Sequence, residues 1–177
     1  YAYLPIYAVE NGFSARAVAS DINEGPTDRA RQNVAKCGLS DRIDVLRTDG
    51  LCGIDAYSPD DIAIFGMGGE LIADIISRAP HLYDGKVNLI LQPMSRQATL
   101  RKFLASEGFS ISTESYSFDA GKYYVCLLAT YTGERREIDE IEAELGTANH
   151  QGIAHIEARI THINEVDALQ IAKTLAD

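Results

Sequence analysis

The most informative stretch of the chain reads DIAIFGMGGELI, residues 61–72. An apolar run typical of a buried strand leads into a turn with three glycines, and the apolar spacing of a helix follows. Glycine lets the backbone turn sharply and approach a ligand closely, because it has no side chain. In open α/β sheets, ligands bind at the carboxyl ends of strands. The stretch therefore predicts an α/β fold with a ligand site at the glycine turn.

Strand and helix patterns alternate on both sides of this turn. Helices are predicted over residues 1–11, 24–37, 69–78 and 96–107, and strands over 15–22, 43–46, 61–65 and 87–93. Two later runs, 109–116 and 122–131, alternate between apolar and polar residues and predict an antiparallel pair. In the first helix, Leu4, Tyr7 and Ala8 are expected to share one apolar face. This order of elements predicts a doubly wound, Rossmann-like sheet closed by a hairpin.

The composition of the chain changes after Gly133. Isoleucine and leucine then recur at helical spacing among charged residues, which predicts two amphipathic helices, paired as a hairpin. We therefore predict an α/β domain over residues 1–133 and a helical, coiled-coil-like appendage over 134–177. The appendage holds ten acidic residues against four basic ones, and the α/β domain holds sixteen against twelve. The net charge of -10 argues against broad electrostatic capture of nucleic acid.

Several classes of protein are disfavoured by simple patterns. The sequence has neither an apolar run of membrane-spanning length nor a secretory leader, so a cytoplasmic protein is expected. The cysteines and histidines lack the paired spacing of a metal site, so we expect no bound metal and three reduced, structural thiols. These residues are Cys37, Cys52, Cys126, His81, His150, His155 and His162.

Acidic residues follow two of the predicted strands. Asp21 ends the strand before the 24–37 helix, and Asp49 comes shortly after the 43–46 strand. A carboxylate at such a place can accept hydrogen bonds from both ribose hydroxyls, and one a strand further can reach an adenine amino group. Asp21 also fits an acid at the start of a helix. With the glycine turn, the two acids suggest a site for an adenosine-containing ligand.

The other half of such a ligand normally lies on a glycine-rich turn after the first strand. No such turn precedes the first predicted helix, so we expect this sequence to begin within the fold and to lack the first strand.

Five short motifs resemble, in the same order, those of the bacterial tRNA adenine-N1 methyltransferases that act on adenine 22. The resemblance covers residue 1 to about residue 131. Tyr1 stands where the family usually has histidine, and the aspartate that precedes this position in the family lies outside the sequence. The motifs are YAYLPI at 1–6, NEGP at 23–26, GMGG at 66–69, LILQP at 89–93 and GKYY at 121–124.

This resemblance implies a Rossmann-like class I methyltransferase that uses S-adenosylmethionine and whose helical hairpin helps to hold tRNA. The residues that it assigns to the cofactor lie at the strand ends described above and at the start of the chain. They are Tyr1, Asp21, Ile22, Asn23, Asp49, Gly50, Gly66, Met67 and Gly68.

Methylation at adenine N1 needs the N1 lone pair in line with the methyl group, and an acceptor for the exocyclic amine would stabilise the cation that forms. Backbone carbonyls near Gly66 and the amide of Gln92 are candidate acceptors, as is the aspartate expected before Tyr1. Tyr3 is the third predicted catalytic residue, because its ring could cover the flipped base. Predicted tRNA contacts are Pro93, Arg96, Lys122 and Tyr124, with Arg101 and Lys102 as further candidate phosphate ligands.

Two other functions fit the sequence. A small-molecule methyltransferase with the same cofactor suits the acidic charge, and a non-catalytic module that binds a nucleotide or tRNA would also use the pocket. A dehydrogenase is disfavoured, because GMGG on this strand is not the usual nicotinamide fingerprint.

Overall fold

The computed structural model describes residues 1–146, in which helices and strands alternate. The chain divides into two compact units, Tyr1–Pro59 and Asp60–Asp177. The strands are β1 (Ala17–Asp21), β2 (Ile43–Arg47), β3 (Asp61–Gly68), β4 (Asn88–Ser95), β5 (Phe109–Asp119) and β6 (Lys122–Tyr131). The helices are α1 (Tyr3–Glu10), α2 (Glu24–Lys36), α3 (Gly69–Ser77), α4 (Gln97–Glu107) and α5 (Glu140–Leu145), with short 3-10 turns at Asp55–Tyr57 and Pro80–Asp84.

The first unit is a two-stranded parallel sheet with two helices. β1 and β2 pair in register from Ala17 opposite Ile43 to Asp21 opposite Arg47, so both strands end at the same edge. Five buried apolar residues form its core, and burial of each such side chain contributes about 1.5–3 kcal/mol. They are Ile6, Val9, Val34, Leu39 and Ile43.

The second unit is built on a four-stranded mixed sheet in the order β3-β4-β6-β5. β3 and β4 are parallel, which requires a crossover, and α3 provides it. β6 then pairs antiparallel with both β4 and β5. Isoleucines of α3 and leucines of α4 are buried with residues from β4 and β6, and these apolar contacts hold the helices on the sheet. Fully buried side chains of these elements include Ile72, Ile76, Leu89, Leu91, Leu100, Leu104 and Leu127.

Every strand and every helix predicted before residue 133 is present, with ends that differ by a few residues. The burial predicted for α1 is wrong, because Leu4 and Tyr7 are exposed, whereas Ile6 and Val9 are buried. The helix is apolar on most of its surface, so its spacing alone did not identify the inner face. The predicted pairing of β5 with β6 is confirmed.

The glycine segment is not the turn that the sequence suggested. β3 continues through Gly68, and α3 begins directly at Gly69. The pairing of β3 with β4 shifts register between Phe65 and Met67, and Gly66 has a φ of +81°. The glycine therefore permits a bulge within the strand, because most L residues avoid this backbone conformation.

The predicted appendage falls only partly within the described residues. α5 lies where its first helix was expected, and the second predicted helix lies outside the described residues. In the stretch up to residue 146, no helix is long and apolar enough to cross a membrane. Cys37, Cys52 and Cys126 are free thiols, and the first two are exposed rather than packed into a core.

Candidate active site

The carboxyl ends of β3 and β4 form one edge of the second unit. Met67 lies opposite Pro93 and Gly68 lies opposite Ser95. The backbone N–H of Gly66 donates a hydrogen bond to Oε1 of Gln92 over 3.2 Å. Because an amide oxygen has two lone pairs, Oε1 can accept a second hydrogen bond from a ligand. This edge thus brings together the predicted catalytic residues Gly66 and Gln92 and the predicted cofactor residues Gly66, Met67 and Gly68.

Contacts at both Oε1 and Nε2 orient the Gln92 amide. Its Nε2 donates to the carbonyl oxygen of Pro93 over 3.5 Å and lies 3.4 Å from Sδ of Met94. The side chain is half-buried, whereas Gly66 and Met67 are exposed. A β-carbon added at Gly66 would have no heavy atom within 4 Å. The edge is therefore an open backbone surface next to a fixed acceptor, and a ligand could approach it closely.

The start of α3 is held tightly against the start of α4. A β-carbon at Gly69 would lie 2.2 Å from the carbonyl oxygen of Arg96, so only glycine fits there without a shift of backbone. Arg96 precedes α4 with a φ of +57°, and its exposed Nε lies 3.7 Å from Oε1 of Glu70. Arg96 thus lies directly after the β4 edge, where its guanidinium is accessible to a phosphate.

The other predicted tRNA residues differ in position. Pro93 is a buried residue of the β4 edge itself, and Tyr124 is half-buried on β6. Leu127 is the first residue of β6 that pairs with β4, opposite Leu91. Tyr124 precedes Leu127 by three residues, about 10 Å, and because the two strands are antiparallel it lies toward the carboxyl end of β4. Lys122 is exposed at the tip of the β5–β6 hairpin, opposite Asp119.

The candidate role of Arg101 as a phosphate ligand is wrong. Its side chain is only 3% exposed and forms a bidentate ion pair with Glu114, which is fully buried, so it cannot reach a phosphate in this state. Lys102 forms an ion pair with Glu140 at the surface. A small cavity of about 20 Å³ beside Arg101 and Glu114 is far too small for an adenosine.

The acidic cofactor residues lie at the common edge of β1 and β2 in the first unit. Oδ1 of Asp21 accepts hydrogen bonds from the backbone N–H and the side-chain amide of Asn23, over 2.8 and 3.2 Å. The N–H of Thr48 donates to the carbonyl oxygen of Asp21 over 3.1 Å, so Asp49 follows at the same edge. Asp49 is exposed, Gly50 has a φ of +56°, and Ile22 is 57% exposed. Both carboxylates are accessible, as a nucleoside site requires.

Tyr1 and Tyr3, at the start of the chain, have different surroundings. The guanidinium of Arg29 lies 5.2 Å from the ring centroid of Tyr1 and donates to its hydroxyl over 3.3 Å. Asn33 donates to the Tyr1 carbonyl oxygen over 3.0 Å. Tyr1 is therefore held against α2, whereas the ring of Tyr3 is 74% exposed and makes a surface to which a base could stack.

The predicted site residues thus fall into two groups, one on each unit. The group on the first unit consists of Tyr1, Tyr3, Asp21, Ile22, Asn23, Asp49 and Gly50, and that on the second of Gly66, Met67, Gly68, Gln92, Pro93, Arg96, Lys122 and Tyr124. Across residues 1–146, no group of three His, Cys, Asp or Glu side chains is arranged to hold a metal ion.

Glu114 and Tyr116 are not among the residues predicted from the sequence. The Tyr116 hydroxyl donates to Oε2 of Glu114 over 2.5 Å, and burial, with this hydrogen bond, raises the pKa of Tyr116. The pairing of β5 with β6 shifts register between Ile111 and Thr113, so the inward side changes from odd to even positions. Strict alternation from Phe109 places Thr113 inside and Glu114 outside, and the bulge reverses this.

Known proteins of similar sequence indicate the family to which this chain belongs. The family model for tRNA (adenine(22)-N(1))-methyltransferases, TrmK, matches residues 1–168. The tRNA (adenine(22)-N(1))-methyltransferase of Bacillus subtilis strain 168 is 37% identical over 146 residues, which make up 82% of this chain and 61% of that protein. The chain therefore spans less than two thirds of the length of this curated relative.

Two solved structures are similar to the whole described fold. A protein of the NADB-Rossmann superfamily from Streptococcus agalactiae is 32% identical, with a TM-score of 0.84 over 97% of this chain and 74% of that one. A putative tRNA (m1A22) methyltransferase from Streptococcus pneumoniae, in complex with S-adenosyl-L-methionine, is 32% identical, with a TM-score of 0.83 over 97% and 79%. The predicted Rossmann-like class I methyltransferase fold is thereby confirmed.

Proposed function

We propose, on the premise that this chain belongs to the tRNA (adenine(22)-N(1))-methyltransferase family, that it transfers the methyl group of S-adenosylmethionine to N1 of adenine 22 in tRNA. The observation that carries the proposal is the open edge of β3 and β4. There an amide oxygen, held by the N–H of Gly66, offers a free lone pair next to exposed glycine backbone. A tRNA substrate favours the cytoplasm as the location.

Each unit, taken by itself, has residues whose chemistry suits the proposed cofactor, which when bound supplies an electrophilic methyl group on a sulfonium. In the first unit, the Asp21 carboxylate is suited to the ribose hydroxyls and that of Asp49 to the adenine amino group. Ile22 and Met67 are exposed apolar side chains that could cover an adenine ring. The remaining cofactor residues in this proposal are Tyr1, Asn23, Gly50, Gly66 and Gly68.

The chain contributes position and hydrogen bonds to the reaction. The N1 lone pair forms the new bond to carbon as the carbon–sulfur bond breaks, and good alignment is worth about 7–11 kcal/mol. The adenine becomes cationic, so its exocyclic amine becomes a stronger donor. Oε1 of Gln92 and the carbonyl oxygen of Gly66 accept from this amine, and a hydrogen bond to a charged group contributes about 1.5–3 kcal/mol.

The target base must leave any pair or stack, because N1 lies on its pairing edge. The exposed ring of Tyr3 is one surface on which the extruded base can stack, and the half-buried ring of Tyr124 is another, while Pro93 is part of the β4 edge, opposite Met67. Arg96 and Lys122 then meet phosphates. Because the α/β domain carries sixteen acidic residues against twelve basic ones, contacts with tRNA must be local, and the appendage over 134–177 supplies further contacts.

The test is methyl transfer to an unmodified tRNA transcript that carries adenine at position 22, followed by mass mapping of the modified nucleoside. A transcript with guanine at that position is the matched control. We expect N1-methyladenosine at position 22 of the first transcript and none in the control. Methylation of small metabolites instead of RNA would replace the proposal with a small-molecule enzyme. Tight cofactor binding without turnover on either substrate would replace it with a binding module.

A further inference from the structure

The hairpin of β5 and β6 extends beyond the rest of its sheet. β6 pairs with β4 as far as Leu127, opposite Leu91, whereas its pairing with β5 continues to Lys122. In the part of the chain that the structure describes, residues 122–126 therefore pair with β5 alone. At about 3.4 Å per residue, this overhang is about 17 Å long. Its tip lies toward the carboxyl end of β4, the end that carries Gln92.

A tight turn holds the two strands in register up to the tip. Asp119 pairs with Lys122, so Ala120 and Gly121 alone lie between the strands. Their φ values are +48° and +80°, and two positive φ values are typical of a type I′ turn, whose twist matches that of paired strands. The tip is therefore a continuation of the sheet and not a loose loop.

Two aromatic side chains face each other across this tip. Phe118 pairs with Tyr123, and their ring centroids are 4.7 Å apart. Because side chains alternate along a strand, Tyr123 shares a face with Val125 and Leu127, which are 2% and 0% exposed. Beyond these residues the core ends, and Phe118 is 62% exposed and Tyr123 38%. The apolar face of β6 thus continues past the core into solvent as a pair of rings.

Contact between the two rings explains only part of this arrangement. A cross-strand aromatic pair stabilises a hairpin, which accounts for the contact itself. The ring planes are inclined by 49°, however, so the rings do not lie flat on each other. Most of the Phe118 ring remains in water, where a planar ligand can stack on it.

The charge of the domain favours a nucleic-acid partner that is bound by stacking. Residues 1–133 hold sixteen acidic side chains against twelve basic ones, so phosphate attraction alone binds RNA weakly. Stacking on an aromatic ring does not depend on that charge, because every base has a π face. Lys122, exposed next to Tyr123, adds a local cation for a phosphate. The tip thus combines the two features by which proteins bind unpaired nucleotides.

We propose that Phe118 and Tyr123 form a stacking platform for an unpaired base of tRNA other than the target adenine. The proposal rests on the proposed function, in which the open edge receives that adenine. Leu91 and Leu127 are paired and share a face, so Gln92 points to the face opposite that of Tyr123. The platform therefore binds a second base and holds the RNA while the target base enters the edge.

A tryptophan probe tests the platform directly, because the chain contains no tryptophan. Phe118→Trp keeps an aromatic ring at the tip and gives the full chain a single tryptophan fluorophore. Phe13→Trp is the matched control: Phe13 is 74% exposed, lies 6.0 Å from the ring of Tyr7, and precedes the amino end of β1 in the first unit. Both variants are titrated with an unmodified tRNA transcript that carries adenine at position 22. We expect tRNA to quench Phe118→Trp and to leave Phe13→Trp nearly unchanged.

Affinity measurements test the same contact without a probe. Phe118→Val keeps a residue that suits a strand but removes the flat ring. Because one stacked base contributes about 5- to 150-fold in affinity, we expect tRNA binding to weaken about tenfold, whereas Phe118→Trp should bind as the unmodified chain does. The slope of log affinity against log salt should stay the same in Phe118→Val and fall by about one in Lys122→Met.

The same variants separate the platform from general damage. Phe118→Val should keep the S-adenosylmethionine affinity of the unmodified chain, measured by calorimetry, and should show a raised KM for tRNA with kcat within about twofold. Phe13→Val should keep the tRNA affinity of the unmodified chain. Equal tRNA affinities of Phe118→Val and Phe13→Val, or equal quenching of the two tryptophan variants, would overturn the inference. Dimers of the unmodified chain that Phe118→Val abolishes in sedimentation would also overturn it, because the rings would then bind a second copy of the chain.

Failure of the proposed function gives a different result. If the unmodified chain binds tRNA without methylating it, the enzymatic proposal fails, while the quenching of Phe118→Trp still decides whether the platform exists. If tRNA is methylated without quenching of Phe118→Trp, the platform is wrong and the proposed function stands. If the chain binds no tRNA at all, both proposals fail.

Discussion

Arg101 and Glu114 are both more than nine-tenths buried, whereas Gly66 and Gln92 lie at an open edge of the same unit. In the buried pair, both carboxylate oxygens of Glu114 and all three guanidinium nitrogens of Arg101 make hydrogen bonds within the protein. At the open edge, Oε1 of Gln92 accepts from Gly66 and retains a lone pair. The buried pair is suited to holding helices and strands together, whereas the open edge is suited to binding a ligand.

The comparison shows that charge alone is a poor indicator of a binding site. Arg101 looks like a phosphate ligand in the sequence, yet its hydrogen bonds are used internally. Gln92 is uncharged, yet it offers an oriented acceptor at the carboxyl end of a parallel strand. Accessibility and unused hydrogen-bonding capacity distinguish Gln92 from Arg101.

The largest effect is expected from breaking the buried pair on one side. Arg101→Met takes away the guanidinium that donates to both oxygens of the buried Glu114 carboxylate, so we expect a loss of about 3–5 kcal/mol in the free energy of unfolding. Urea denaturation measures this loss of stability. The double variant with Glu114→Leu should recover most of this loss, to within about 2 kcal/mol of the unmodified chain. If the single and double variants are equally destabilised, the carboxylate is not the cause.

A smaller effect, on catalysis rather than stability, is expected at the open edge. Gln92→Ala removes the acceptor for the exocyclic amine, and we expect kcat to fall about 100-fold, as for a donor removed from an oxyanion hole. Single-turnover methyl transfer with labelled cofactor measures it. Gln97→Ala is the control, because Nε2 of Gln97 also donates to the Pro93 carbonyl oxygen, over 3.4 Å. Equal rates for the two variants would remove Gln92 from the mechanism.

Two glycines of the same segment should respond differently to alanine. Gly69→Ala places a β-carbon 2.2 Å from the Arg96 carbonyl oxygen, so we expect a loss of about 1–3 kcal/mol from overpacking. Gly66→Ala meets no atom within 4 Å, and its cost of about 1–2 kcal/mol comes from the left-handed backbone alone. Chemical denaturation compares them. A larger loss at Gly66 than at Gly69 would contradict the close contact between the starts of α3 and α4.

The smallest effect concerns Tyr116, whose hydroxyl donates a hydrogen bond to Glu114 of the buried pair. Its pKa is raised by burial and by Glu114, so its contribution to stability is complete below the unfolded pKa of about 10 and declines as the pH rises above it. We therefore expect the free energy of unfolding to fall less steeply above pH 10 in Tyr116→Phe than in the unmodified chain. Tyr83, whose pKa is also raised, is present in both proteins and cancels in the comparison. Parallel curves would show that Tyr116 titrates normally in the folded protein.

Much of the fold and part of the candidate site could be predicted from local patterns. The apolar run at 87–93 predicted β4, and the glycines after Phe65 marked the edge where Gln92 now lies. Asp21 and Asp49 were predicted at strand ends, and the parallel register of β1 with β2 brings those ends to one edge. These successes share a cause, because the extent of a strand follows from periodicity and its end from glycine and other turn residues. That both groups of residues bind one cofactor remains a prediction, as do the domain boundary at 133 and the roles of individual site residues.

The sequence by itself determined the order of the elements and the place of the open edge, because these depend on neighbours along the chain. Only the tertiary structure decided which polar residues are buried. The bulge after Ile111 turns Glu114 inward, and Arg101 is buried because α4, β5 and α5 meet around it. A single-residue change of register reverses every later side chain of a strand, and no local pattern in β5 indicates where that change falls.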